Sequence, residues 1–253
     1  MSVSVPVRTP VVFDAWLGQR LRLGVIALAT DHSSEAELWQ MAPRGEVELF
    51  VTRVLNQNPT SVENLRAMAP RLTEAASILL PGSALDAMIY SCTSGTAVIG
   101  AAQVEQRIQA AKPGVPCTTP LTAGAAAFEA LGVSKIAVLT PYVDEVNRTI
   151  RTSLVEAGVC ISSFFSFGLE SDVDMALIPA HTLIAAAAEA DCADSEALFI
   201  SCTALRTVGI VAELESRLGK PVVTSNQAMF WHALRLGGYK RPIEGFGTLL
   251  STC

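Results

Sequence analysis

Two stretches of the chain, LDAMIYSCTSGTAVIG at 85–100 and SEALFISCTALRTVGI at 195–210, align without a gap. Each is an apolar run that ends in Ser-Cys-Thr, at Ser91-Cys92-Thr93 and at Ser201-Cys202-Thr203. Further on, GVPCTTP matches GKPVVTS, so that Thr119 falls opposite Thr224. Each copy thus reads strand, Ser-Cys-Thr, helix, Gly-x-Pro, strand, Thr. A repeat this long is not a solenoid, whose period is about 20–50 residues, but a duplicated half-domain. The chain is constrained to two like halves, and its 253 residues suit two such units.

The elements between these landmarks alternate. Apolar, β-branched runs at 21–29, 47–53, 85–91, 114–119, 135–140 and 196–201, with VCISSFFSF and KPVVTS, read as strands. Helical spacing follows in NPTSVENLRAMAPRL, GTAVIGAAQVEQRIQAA, at 123–132, at 144–158, in MALIPAHTLIAAAAEA, at 204–219 and in NQAMFWHALRLGG. Thr60 and Glu63 fit a capping box, Pro70 and Pro179 interrupt their helices, and Gly132 and Gly158 close theirs. Strand–helix alternation predicts an α/β fold of parallel sheets covered by helices.

Composition excludes several classes. Net charge is −6, with no Lys/Arg stripe and three Tyr and three Trp, which argues against nucleic acid as a partner. No apolar run approaches a membrane span, and no leader is visible, so a cytoplasmic protein with no membrane partner is expected. Six cysteines with no C-x-x-C predict reduced thiols rather than a disulfide framework. His32, His181 and His232 are scattered, so no metal site is expected. No P-loop, G-x-S-x-G or G-x-G-x-x-G is present. His181 and His232 fall in helical stretches and read as satisfied or surface groups rather than partners of a thiol.

The chemistry concentrates at the two Ser-Cys-Thr turns. In parallel α/β sheets, ligands bind beyond the carboxyl ends of strands. Both cysteines are expected there, each before a helix whose free N–H groups stabilise a thiolate and attract carboxylates. Thr93, Ser94 and Thr203 add hydroxyls. A pseudo-twofold would face the two turns across one cleft. A buried Cys more often serves packing, and Cys117, Cys160, Cys192 and Cys253, which lack the repeated setting, are read that way. An activated pair is expected to alkylate well below pH 8; ordinary thiols would instead fit a non-catalytic protein that binds a small carboxylate or a compatible-solute metabolite.

With LGVIALATDHSS at 23–34, Cys92-Thr93-Ser94, VLTPYVDEVN at 138–147 and Cys202-Thr203, the chain resembles the Asp/Glu racemase superfamily, in its maleate cis-trans isomerase and arylmalonate decarboxylase branch. LATDHSSE and the stretch NPTSVENLRAMAPRLTEAASILLPG are most similar to its ectoine-utilisation members. The resemblance implies two α/β domains about a pseudo-twofold: 1–119 with 225–253, the last helix crossing back, and 120–224. It implies cofactor-free chemistry between them, with Cys92 and Cys202 on opposite faces of a small carboxylate. A racemase or epimerase uses one as base and the other as acid; a maleate-type isomerase uses the first as nucleophile. Decarboxylases of the branch keep the cysteine matching Cys202 and lack the first; both are present here, which argues against decarboxylation and keeps it only as an alternative. Tyr142 matches a carboxylate-binding tyrosine, and Thr30 and Asp31 lie in the substrate loop. Maleate isomerases carry Pro-Ser-Ser-Asn where this chain has Leu28-Ala29-Thr30-Asp31; an acid there favours an amino-bearing substrate or else caps the next helix. A symmetric homo-oligomer is expected.

Overall fold

The computed structural model describes residues 9–15 and 18–252; Cys253 and half of the stretch searched for a leader lie outside the described residues. Among the described residues, eight parallel strands form two four-stranded sheets. The first contains β1 (Leu21–Leu28), β2 (Val47–Val54), β3 (Ala87–Tyr90) and β4 (Cys117–Thr118), in the order β2-β1-β3-β4. The second contains β5 (Lys135–Tyr142), β6 (Cys160–Leu169), β7 (Ala197–Ile200) and β8 (Val222–Thr224), in the order β6-β5-β7-β8. The two orders are equivalent, as the internal repeat requires. Central strands are buried on both faces: β3 and β7 throughout, β5 from Ile136 onward. That is why they read as continuous apolar runs rather than alternating ones.

Chain order reverses between β1 and β3, and again between β5 and β7. A crevice opens at such a switch point. Val25 pairs with Ile89, and Val138 with Phe199. Cys92 and Cys202 each follow two residues after the end of β3 or β7, at the two crevices. β5 runs past the expected end at 140, through Pro141 to Tyr142. Its pairing with β7 stops at Leu139, so the missing N–H of Pro141 costs no ladder bond on that side.

The halves exchange a helix. α6 (Pro120–Leu131) leaves β4 of the first sheet but packs near β8 of the second, where Phe128 meets Phe199 edge-on at 5.4 Å. α11 (Ser225–Leu236) leaves β8 but packs on β3 and β4, where His232 Nδ1 lies 2.8 Å from Thr118 Oγ1. His232 is thus satisfied, as expected. Thr119 and Thr224, the aligned threonines, each close a capping box, with Thr122 and Gln227.

Four local expectations are corrected. The helix expected across 95–111 is two, α4 (Thr93–Ile99) and α5 (Ala101–Gln109), because Gly100 adopts φ +91°, which a side chain disfavours. Ser61, not Thr60, caps α2 (Val62–Arg66), accepting from Asn64 N–H at 3.2 Å; the Thr60 hydroxyl is engaged elsewhere. The helix expected from 204 begins at Val211, as α10 (Val211–Leu218), after a short 3-10 turn over Val208–Ile210. Residues 203–207 do not coil because groups from other elements hold their backbone. α1 (Ser34–Met41), which follows the β1 loop, supplies some of them. The helix expected across 175–190 begins earlier, as α8 (Asp172–Leu177), and resumes beyond Pro179 as α9 (Ala180–Ala190).

Candidate active site

Cys92 is the residue before α4, with extended backbone (φ −154°), so its side chain turns back onto the helix start. Its Sγ accepts from Gly95 N–H at 3.1 Å, and Ser94 Oγ lies 3.7 Å away. Gly95 is required by crowding rather than by φ: a Cβ there would lie 2.4 Å from the Tyr90 hydroxyl and 2.9 Å from Cys92 Sγ. Tyr90, fully buried, stands behind the Cys92 sulfur and favours its ionised form, while its hydroxyl donates to Met68 Sδ at 3.9 Å. The Thr93 hydroxyl turns away from the cleft, to Ser225 Oγ at 2.9 Å.

Cys202 is built differently. Its Sγ accepts from Ala204 N–H at 3.3 Å and from the Tyr142 hydroxyl. Tyr142, at the end of β5, also hydrogen-bonds with Ser94, so one phenol links the two turns. Thr203 Oγ1 donates to Ser91 O at 3.4 Å, across to the first turn.

The two thiols line one cavity, with Leu28, Asp31, Ser94, Tyr142, Asp172, Thr203 and Ala204. Its volume is about 10 Å³, room for about one water. Of the residues singled out in sequence, Cys92, Cys202, Asp31, Ser94, Tyr142 and Thr203 meet here; Thr30 and Thr93 stand behind it. Larger grooves lie elsewhere, one of about 470 Å³ beside α7 (Asp144–Glu156), with no thiol in its lining. Cys117, Cys160 and Cys192 lie outside the cavity, Cys160 exposed. Among the described residues, no group of three or more His, Cys, Asp or Glu side chains could hold a metal ion.

Asp31 serves the helix start and also borders the cavity. Its Oδ1 accepts from Ser33 and Ser34 N–H at 3.2 and 3.0 Å and its Oδ2 from Ser34 Oγ at 2.6 Å, so it ties down the start of α1 while lining the cavity. Sequence reasoning missed Asp172, the first residue of α8. Its Oδ2 accepts from Thr30 Oγ1 at 2.5 Å and Asn56 Nδ2 at 3.2 Å, and its Oδ1 from Thr60 Oγ1 at 3.4 Å. These donors come from the first half of the chain, which explains why Thr30 and Thr60 are not used as expected. No local motif surrounds Asp172; only its contacts, more than 100 residues away in sequence, reveal it.

Burial dominates the electrostatics. Both thiols are 2% exposed and are pushed up to about 12, foremost by desolvation; the Asp172 carboxylate adds to this at both. The N–H of Gly95 and of Ala204 oppose the shift but do not cancel it. This corrects the expectation of helix-activated thiolates. Cys202 has no helix directly behind it, and at Cys92 one N–H cannot replace lost water. Asp172 is also raised, by burial first, against its three donors. Glu37 of α1, 6% exposed, is raised to about 7 by burial.

Comparison with known proteins places the fold and the family. The arylmalonate decarboxylase family model matches residues 53–250. The arylmalonate decarboxylase of Bordetella bronchiseptica is 38% identical over 139 residues, 54% of this chain and 58% of that protein, so the match spans little more than half of the relative. The maleate isomerase of Nocardia farcinica is 25% identical over 240 residues, 90% of this chain and 95% of that one. A structure of a cysteine-to-serine variant of maleate cis-trans isomerase from that species, with a covalently bound succinylcysteine intermediate, gives a TM-score of 0.81 at 22% identity, covering 91% and 98% of the chains. A cysteine-to-alanine variant of a maleate isomerase from Pseudomonas putida, solved with maleate, gives 0.84 at 19%, covering 92% and 98%. At those identities the structural likeness carries the fold: two parallel α/β sheets with the cleft between them. The family match covers most of the chain, and on that ground the chain belongs to the arylmalonate decarboxylase family.

Proposed function

We propose that this chain is a cofactor-independent isomerase of a small carboxylate, with Cys92 and Cys202 as its acid–base pair. The observation that carries the reading is the two cysteines of an internal repeat lining one closed cavity. In racemisation or epimerisation, one cysteine as thiolate takes the proton next to the carboxylate, and the electron pair delocalises into the carboxylate. The other thiol returns a proton to the opposite face, and the two cysteines end with exchanged protonation. In a maleate-type cis-trans reaction, Cys92 thiolate adds to the double bond, the resulting single bond rotates, and loss of the thiolate restores the alkene. The hydroxyls of Ser94, Tyr142 and Thr203 are the proposed carboxylate donors.

Two carboxylates, Asp31 and Asp172, and no Lys, Arg or His line the cavity. A dianion would be repelled there, whereas an ammonium group is attracted. The proposed substrate is therefore an amino-bearing carboxylate; the likeness of the first loop to ectoine-utilisation members points to a compound of ectoine breakdown. A cytoplasmic homo-oligomer is part of this proposal, with sedimentation as the check on assembly.

The test is deuterium uptake at the α carbon from heavy water, across amino acids and diacids, for wild type, Cys92→Ala and Cys202→Ala. Uptake and isomer interconversion by wild type, lost in both variants, is the expected outcome; full turnover by both variants on a confirmed substrate refutes the pair. The family match favours decarboxylation as the second reading. It would appear as carbon dioxide release from substituted malonates, with Cys92 dispensable.

A further inference from the structure

The Cys92 turn is held by its own helix: Gly95 N–H reaches Sγ, and Thr96 N–H reaches the Cys92 carbonyl at 3.1 Å. The Cys202 turn has no such helix, and elements outside the second sheet hold it. Ser33 Oγ, before α1, donates to Ala204 O at 2.6 Å. Asn226, fully buried in the first turn of α11, donates one N–H to Thr203 O at 3.0 Å and the other to Glu37 Oε2 at 2.6 Å. Glu37 Oε1 accepts from Val208 N–H at 2.8 Å, and Thr207 N–H also donates to this carboxylate. Glu37 thus gathers donors from α11 and from the far end of the turn, while Asn226 ties the near end through Thr203 O. All of these donors to Glu37 are N–H groups, which an ionised carboxylate accepts and a protonated one accepts less well.

We propose that Glu37 is a positioning residue for Cys202: its ionised carboxylate, through Asn226 and the N–H of Val208, holds the turn that aims the thiol, and a proton on it releases that turn. The charged groups around it do not substitute for this role. Asp31, in the loop before α1, only makes ionisation harder. Glu35 is paired with Arg53, and Arg206 of the turn is directed to Ile178 O. Burial raises Glu37 to about 7, so the change falls near neutrality. The thiol arm of the test needs no substrate, so it stands apart from the proposed isomerase activity; only the turnover arm rests on that reading.

The experiment is the rate of iodoacetamide alkylation at Cys202 relative to Cys92, by peptide mass mapping from pH 5.5 to 9. In wild type the ratio should fall several-fold as pH rises through about 7, because ionised Glu37 closes the turn over Cys202. Glu37→Gln should hold the ratio at its low-pH level throughout, without changing the rate at Cys92. On a confirmed substrate, Glu37→Gln should lower kcat about tenfold with little change in KM, and the wild-type pH step should vanish. Asn226→Asp, which sets a second acid against Glu37, should move the wild-type midpoint upward. A wild-type ratio that is flat with pH, a Glu37→Gln variant that follows wild type, or a midpoint unmoved by Asn226→Asp overturns the proposal. If substrate turnover fails while the alkylation ratio behaves as stated, the isomerase reading falls and the positioning role stands.

Discussion

Raising the pH tests the burial of the two thiols directly. The ordinary value for a thiol is 9.0, and Cys92 and Cys202 are each pushed up to about 12. At pH 8 an ordinary thiol is roughly 10% thiolate, whereas one at about 12 is roughly 0.01% thiolate, a thousandfold difference. Ionising either thiol inside the closed cavity therefore costs about 4 kcal/mol more than in water, from about 3 pKa units at 1.36 kcal/mol each. A cavity of about 10 Å³ does not accommodate a carboxylate substrate either. Opening the two halves would relieve both: water enters, a thiolate forms, and the cleft closes again over substrate. The assay is the alkylation rate of each cysteine against pH, by mass mapping, with the same peptides in denatured protein as reference. In the folded protein, log rate should climb with unit slope past pH 10, where the denatured reference has levelled near 9. A constant accessibility, as at Cys92 or at Cys202 in Glu37→Gln, scales such a curve but does not move its bend, so there the bend reports ionisation alone. The sign for stability follows: with the folded value raised, stability is full below pH 9 and declines as pH rises from 9 towards 12. A bend below pH 9 at Cys92 in the folded protein, or at Cys202 in the Glu37→Gln variant, refutes the argument that desolvation outweighs the N–H donors.

Other outcomes follow from particular contacts. Gly95→Ala forces the Tyr90 hydroxyl or the Cys92 sulfur aside; kcat should fall at least tenfold while the melting temperature drops by only a few degrees, measured by steady-state kinetics and calorimetry. Asp172→Asn removes a charge that raises both thiols, so the bend in their alkylation profiles should move to lower pH, and KM should shift against amino-bearing substrates relative to diacids. Glu37, raised from 4.5 to about 7, makes stability decline by about 3 kcal/mol as pH rises between those values. Denaturant melts should therefore show Glu37→Gln gaining on wild type across that window, and a constant difference would contradict the burial of the charge.

The local sequence carried most of the fold because the evidence for it is local. Apolar runs buried on both faces announce parallel strands, and Gly132 and Gly158 announce helix ends, through periodicity and backbone freedom alone. The repeat around Cys92 and Cys202 told of two like halves and so of two facing turns. What it could not report was the difference between those turns. The aligned residues after Cys202 look as helical as those after Cys92, yet they are held open by Ser33, Glu37 and Asn226, whose reach is set by how α1 and α11 pack.

By itself, then, the sequence determined the α/β alternation, the duplication, and the placing of both thiols at strand ends, since each depends on residues within a turn or two of one another. Only the tertiary structure decided that Asp172 joins Asp31 in the cleft, that Thr30 and Thr60 serve Asp172, and that the thiols are neutral at rest. Those outcomes depend on lost water and on contacts between residues more than 100 positions apart, and neither is written in any local spacing.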